Sequence, residues 1–411
     1  MTKVLHLLLL ACICDAYSSW NAIRQSSFHH RSNNIVLLRK NGRRRAPLHM
    51  SDTTTTTDSS TSTDIIDRTT TTPPSAKTIP LWPNTFAGQV EEALLAKYPA
   101  SKIERVLQSW RLAELDYEHK EFVGSQQSPP LPEDVDGTSR CYQHAPSYVP
   151  GLRAVAWWDD DLVTNLPWAK SLAKSYKAIR EEFTEVMSNP TKLASDGNNI
   201  WAGALTTDAE SYGEGWKTLV LLNRGQWDET NAGLFPVTSK AIHKSGVPAA
   251  EAFFASMKPQ SSIAPHSDFT NFVLTSHLPL VVPENGKNKC RLSVGDETRE
   301  WLEGKVILFD TSIYHDAIND SEEMRYILML RVWHPDLTEE ERGALQLIYD
   351  ILEIPELLDK DAKVADRAED MARKMREFPL KDGAIGGGFG GGAGGGKGKK
   401  GKGKNKKKGR K

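Results

Sequence analysis

Between residues 216 and 333 the chain is a series of short runs of strand-forming residues separated by turn signals, and this pattern restricts the fold more than any other feature. The runs are Trp216–Leu222, Ala252–Met257, Phe272–Val282, Lys289–Val294, Lys305–Phe309 and Met324–Trp333, with turns such as Pro283-Glu284-Asn285-Gly286 and Glu303-Gly304 between them. Many short strands punctuated this way predict a barrel or a double-sheet jelly roll. Upstream the period changes. Val90, Ala93, Leu94, Leu95 and Tyr98, then Ile103, Val106, Leu107, Trp110 and Leu112, recur at helical spacing and predict helix over 85–123. Helices are also expected over 164–188, 338–353 and 360–377, while 128–151 is rich in Pro and Gly and shows no period. The fold class is therefore mainly β with flanking helices, an α+β arrangement.

The two ends differ from this body. Residues 1–16 read as a signal peptide, with Lys3, the apolar run Val4–Cys14 and small residues near Ala16. That run falls short of the roughly twenty apolar residues a membrane span needs, and no later segment reads as transmembrane. Residues 17–50 are basic, Ser- and Asn-rich and free of acid, as in a transit peptide or a basic propeptide. Entry into the secretory route is expected, ending in a plastid reached through the ER or in the ER lumen. Residues 51–80, rich in Ser and Thr, are too poor in apolar content to fold and read as a disordered linker. A helical region at 81–200 supports a core at 201–340, C-terminal helices follow at 341–380, and 381–411 is a flexible Gly/Lys tail. Formal net charge is −1. Residues 1–50 carry about +7 and the last fifteen about +10, which leaves roughly −18 for the body. A nucleic acid or an anionic surface is thus a partner for the tail only. Of four cysteines, Cys12 and Cys14 lie in the apolar leader. Cys141 and Cys290 form neither a disulfide framework nor a zinc pattern, and a single bridge between them has no support in their spacing.

The chemistry concentrates in Pro265-His266-Ser267-Asp268, with His315 about fifty residues on and Arg325 ten beyond that. A non-haem iron(II) oxygenase needs two imidazoles, usually with one carboxylate, on one face of the metal, and leaves the other positions open. His266 and Asp268 are two residues apart and on a strand point the same way. His315 follows a strand and a turn, so it can return from a neighbouring strand. The open positions suit the two-oxygen chelate of 2-oxoglutarate and then dioxygen. Arg325, in a run of β-formers, is a costly charge to bury without a partner, and its guanidinium matches the distal carboxylate of 2-oxoglutarate. An HxD triplet alone is a weak signal. Its combination with strand-turn-His and a strand Arg is stronger.

Residues 261–340 resemble the aspartyl/asparaginyl β-hydroxylase family. The matching stretches are Met257-Lys-Pro, Pro265-His266, Thr270-Asn271, His277-Leu278, Glu297-Thr298-Arg299-Glu300-Trp301, Glu303-Gly304-Lys305-Val306, Phe309-Asp310, His315, Arg325 and Arg331-Val332-Trp333-His334-Pro335-Asp336-Leu337-Thr338. Pro150-Gly151-Leu152, Trp157-Trp158-Asp159 and Gly215-Trp216-Lys217 extend it upstream. The resemblance implies a double-stranded β-helix (a cupin-like jelly roll) that hydroxylates the β-carbon of an Asp or Asn residue while decarboxylating 2-oxoglutarate to succinate. It implies that His266 and His315 ligate iron(II), that Arg325 grips the cosubstrate, and that Trp216 and His277 line its pocket. Three departures stand out. Asp268 occupies a position that is Gly in the animal peptide hydroxylases, and can restore the carboxylate ligand or hold a metal-bound water. Thr275 replaces an Arg and removes a cationic contact. Ala255 replaces a pocket Ser, with Ser256 one residue off and so on the wrong face of a strand.

The substrate class stays open at this point: a peptide or protein, or a small molecule or lipid acyl chain on the same fold. A non-catalytic binding module on a degenerate barrel is the reading from a different class. Trp157-Trp158-Asp159 is read as packing rather than as a substrate platform, and His334 as structural.

Overall fold

The computed structural model describes residues 84–380, apart from 116, 124–139, 160–164, 204–208 and 284–288. The expected signal peptide, the basic stretch 17–50, the linker 51–80 and the tail 381–411 all lie outside the described residues. In chain order, α1 (Phe86–Lys97) and α2 (Glu104–Glu114) precede the strands β1 (His119–Phe122) and β2 (Tyr142–Ala145), then α3 (Pro167–Met187) and α4 (Pro190–Asp196). β3 (Ala202–Gly203), the single turn α5 (Ala209–Tyr212), β4 (Trp216–Asn223) and β5 (Gln226–Trp227) lead to α6 (Glu229–Leu234) and α7 (Pro236–Ser245). Next come β6 (Ala249–Met257), β7 (Ser261–His266), β8 (Val273–Val281), β9 (Cys290–Val294), β10 (Glu297–Glu300), β11 (Ile307–Phe309), β12 (His315–Asn319) and β13 (Arg325–Trp333). The helices α8 (Glu339–Glu353) and α9 (Ala362–Arg376) close the described chain.

The strands form two main sheets. The larger has the order β11-β8-β13-β6-β4-β3, with β5 on β4, and the smaller β10-β9-β12-β7. Every pairing in them is antiparallel. From β6 onward the chain passes back and forth between the two sheets, which is the winding of a double-stranded β-helix. The parity of each strand decides what it packs against. Phe253, Ala255 and Met257 of β6 and Ile327 and Met329 of β13 join Ile263, Leu292, Val294 and Ala317 of the smaller sheet in one interior cluster. The alternate residues Ala252, Phe254, Leu274, Leu278, Leu328 and Leu330 meet Trp168, Leu172, Ile179 and Phe183 of α3 on the outer face. Both faces of the larger sheet are covered, so its strands are near-continuous apolar runs, and these are the strands legible in the sequence.

Three of the strands that the pattern did not show, β7, β10 and β12, belong to the smaller sheet. β7 and β10 are its edges, polar and partly exposed. Pro265 is tolerated in β7 because an edge strand can lack one ladder donor. The helix expected over 85–123 is two helices and a strand. α1 stops before Pro99, which sets φ and removes an N–H, and His119–Phe122 pairs with Tyr142–Ala145 across the chain. At the turn before β11, Gly304 has φ +77°, and a Cβ there would lie 2.9 Å from the Tyr176 ring. α8 begins with a capping box between Thr338 and Glu341, and Glu341 also receives Arg105 of α2 through both guanidinium arms at 2.7 and 2.6 Å. Neither Cys141 nor Cys290 is in a disulfide. No helix among the described residues is long and apolar enough to cross a membrane.

Candidate metal centre and anion pocket

His266 ends β7 and His315 begins β12, and the two are direct partners in the antiparallel register. Their ring centroids lie 4.3 Å apart. Each ring is oriented in the same way: His266 Nδ1–H donates to the Ala264 carbonyl at 2.8 Å, and His315 Nδ1–H to the Ile313 carbonyl at 3.0 Å. Both Nε2 lone pairs therefore point away from the backbone, the arrangement that ligating histidines show. Asp268 follows β7 in the loop rather than on the strand, yet its carboxylate reaches the same point. Its Oδ1 is 3.6 Å from His266 Nε2 and 3.9 Å from His315 Nε2. One ligand atom from each of His266, Asp268 and His315 lies within 4.8 Å of the others, a set that can hold a metal ion. Burial, with the neighbouring His266, lowers the pKa of His315 to about 4, so its imidazole is neutral and its lone pair is available. Burial opposes ionisation of Asp268, but the Arg331 guanidinium beside it holds the carboxyl well below the usual range.

These groups open into a cavity between the sheets, lined also by Trp216, His277, Trp301 and Arg325, with apolar walls from Ile263, Leu292, Phe309, Ile327 and Met329. Arg325 is 1% exposed and has no carboxylate partner among the described residues. Its guanidinium lies over the Trp301 ring at 4.4 Å and donates from Nη2 to Met257 Sδ, while Nε and Nη1 are buried with no hydrogen-bond partner. Burial lowers its pKa to about 10. His277 is held neutral, chiefly by burial and then by Arg325. Trp301 Nε1–H donates to His277 Nδ1 at 3.0 Å, which leaves the proton on Nε2, and that atom too is buried without a partner. A cation with two idle donors and a neutral N–H donor in one cavity are what a small dicarboxylate requires.

All six residues singled out by sequence line this cavity: His266, Asp268, His315, Arg325, His277 and Trp216. The departures resolve differently. Ala255 belongs to the interior, whereas Ser256 faces the other way and donates to the Lys217 carbonyl. Arg331 of β13 lies opposite Thr275 in register, is buried, and is ion-paired to Asp268 Oδ2. Sequence reasoning missed Arg331 and Tyr212 as site residues. Arg331 had a usable signal: it is a charge among β-formers at the same strand parity as Arg325. Tyr212 had none, since it comes from a single helical turn far upstream. Its hydroxyl lies 2.9 Å from Asp268 Oδ1 and 2.8 Å from His266 Nε2. Trp158 and His334 pack edge to face, and His334 bonds the Arg153 carbonyl through Nε2, so both are structural as expected.

Residues 173–335 match the family described as aspartyl/asparaginyl beta-hydroxylase. Over this segment, about two-fifths of the chain, the protein is similar to that family. Aspartyl/asparaginyl beta-hydroxylase from Mus musculus is 32% identical over 205 residues, 49% of this chain and 26% of that protein. The Homo sapiens protein of the same name is 31% identical over 205 residues, 49% of this chain and 25% of its own length. Ornithine lipid ester-linked acyl 2-hydroxylase from Rhizobium tropici is 31% identical over 167 residues, 40% of this chain and 56% of that protein. The chain spans about a quarter of the length of the mammalian family members.

Proposed function

We propose that this chain is an iron(II)- and 2-oxoglutarate-dependent dioxygenase that hydroxylates the β-carbon of an aspartate or asparagine residue in a peptide or protein. The observation that carries the reading is the convergence of His266 Nε2, His315 Nε2 and Asp268 Oδ1 in the same cavity as the idle donors of Arg325 and His277. The three converging residues would hold iron(II). Bound there, the iron with dioxygen supplies the oxidising chemistry that converts 2-oxoglutarate to succinate and carbon dioxide and adds one oxygen atom to a C–H bond.

The chain's own residues do the rest. The Ala264 and Ile313 carbonyls fix the two imidazoles with Nε2 toward the cavity. Arg325 offers Nε and Nη1 to the distal carboxylate of the cosubstrate, a charge-assisted contact from a buried guanidinium. His277 keeps its proton on Nε2 and donates it to an oxygen acceptor, with Trp301 setting the tautomer. Trp216, Phe309 and Met329 wall the space so that these contacts act at low dielectric.

A second substrate class, a small molecule or lipid acyl chain, is favoured by the Rhizobium relative, whose name describes an acyl 2-hydroxylase and whose length is matched more fully. The basic tail would tether the enzyme to an anionic surface or nucleic acid, and the N-terminal residues would route it through the secretory pathway. Both follow from sequence alone. Succinate release from 2-oxoglutarate, with iron(II) and ascorbate, is the test for the full chain and its His315→Ala variant. Equal release by both sinks the proposal. Mass spectrometry of candidate peptides and acyl lipids, looking for one added oxygen, separates the two substrate classes.

A further inference from the structure

Asp268 is gripped from two directions by groups that come from distant parts of the fold. It lies beyond the end of β7, where its backbone N–H donates to the Thr311 carbonyl at 2.8 Å. Oδ2 is ion-paired to Arg331, which β13 delivers from the larger sheet. Oδ1 accepts the Tyr212 hydroxyl at 2.9 Å, and Oδ1 is the oxygen that faces the two imidazoles. All three side chains are buried. A carboxylate has about four lone-pair positions. With Oδ2 held by a guanidinium, a metal chelated through both oxygens would have to share Oδ2 with Arg331. Oδ1 can accept the phenol with one lone pair and turn the other to the point between the histidines.

Tyr212 carries one hydroxyl proton and has two acceptors in reach, His266 Nε2 at 2.8 Å and Asp268 Oδ1 at 2.9 Å. His266 already donates its Nδ1–H to Ala264, so Nε2 is its lone-pair end. Once that lone pair is given to a metal, Oδ1 is the one of these two that still accepts from the phenol. We propose that Tyr212 and Arg331 are positioning residues that make Asp268 a one-oxygen metal ligand, Tyr212 setting the direction of Oδ1 and Arg331 tying down Oδ2. This rests on the metal-centre reading above and extends it to residues outside the triad.

The test is titration of the full-length apoprotein with cobalt(II), followed by calorimetry and by the visible absorption of the bound ion. The wild type should bind one equivalent. Tyr212→Phe should bind it 10- to 100-fold more weakly with an altered spectrum, the range typical when a partner of a ligand is lost. Arg331→Lys should fall between the two, since it keeps the charge and loses the fork. In an Asp268→Gly background, Tyr212→Phe should cause no further loss, because it acts through that carboxylate. Thermal melts of the apoproteins check that Tyr212→Phe is folded. Wild-type affinity and spectrum in Tyr212→Phe would overturn the proposal while leaving the metal centre standing. So would an equal loss in the Asp268→Gly background. No cobalt binding by the wild type would instead remove the metal centre itself.

Discussion

Replacing Arg325 with Met should make the protein more stable and its cosubstrate pocket much weaker, and the opposite signs are what make the experiment decisive. The guanidinium is fully buried, and burial lowers its pKa from 12.5 to about 10. At about 1.4 kcal/mol per unit, keeping it charged in the folded state costs about 3 kcal/mol. Two of its nitrogens have no partner to offset that cost. Met is apolar, of similar length, and fits against Met257 and Trp301, which already contact the arginine. Stabilisation of about 2–3 kcal/mol is expected, in line with buried ions replaced by apolar side chains. For a chain of this size that raises the melting temperature by about 4–6 °C in the absence of 2-oxoglutarate. The same change removes a charge-assisted pair of hydrogen bonds worth about 3 kcal/mol, so 2-oxoglutarate binding should weaken roughly a hundredfold. Differential scanning fluorimetry and calorimetric titration of 2-oxoglutarate, with manganese(II) in the metal site, read the two effects separately. A variant that melts below the wild type would show that the guanidinium is satisfied in the fold. Unchanged affinity would show that the anion is held elsewhere.

Other expectations concern the scaffold. Phe254→Ala should destabilise by about 3–5 kcal/mol in urea unfolding, because the ring is buried between Phe183 and Phe235, with centroids 4.8 and 4.7 Å away; a loss below about 1 kcal/mol would mean that the outer core is loosely packed. Arg105→Met should cost about 1–3 kcal/mol by leaving Glu341 without its paired cation, while Arg105→Met with Glu341→Gln should recover part of the loss. Burial raises the Asp310 carboxyl to about 7, against hydrogen bonds from Ser312 and Gln143 that favour its ionised form. Between about pH 4 and 7 the folded chain then keeps a proton that the unfolded chain has lost, so this group's contribution is fully present below about pH 4 and is lost as pH rises through 7. Asp310→Asn should flatten that part of the stability–pH curve, gaining up to about 4 kcal/mol relative to wild type between pH 4 and 8; parallel curves would place the titration elsewhere.

The strands of the larger sheet and the helices against it were legible because each carries its own apolar pattern. Of the smaller sheet only the run Lys289–Val294 was. Ser261–His266 and Glu297–Glu300 are polar edge segments whose strand character comes from pairing with partners far along the chain. His119–Phe122 was taken into a helix for the same reason, since only its ladder with Tyr142–Ala145 makes it a strand. The site divides along the same line. His266, His315 and Arg325 could be read from spacing, because a strand-turn-strand return and a costly buried charge are local properties, whereas Asp268 reaches the same point from the loop after β7 and not by strand parity. That Arg331 faces Thr275 across the ladder, and reaches Asp268 from there, could not be read from spacing.

Sequence alone determined the fold class, the ligand-type residues and the charge that a carboxylate cosubstrate would satisfy, since residue type, period and parity are written along the chain. Tertiary structure alone decided which oxygen of Asp268 faces the histidines and that Tyr212 and Arg331 hold it there. Those are contacts between elements that no local pattern links, and a hydrogen bond exists only where the whole fold brings donor and acceptor within about 3 Å.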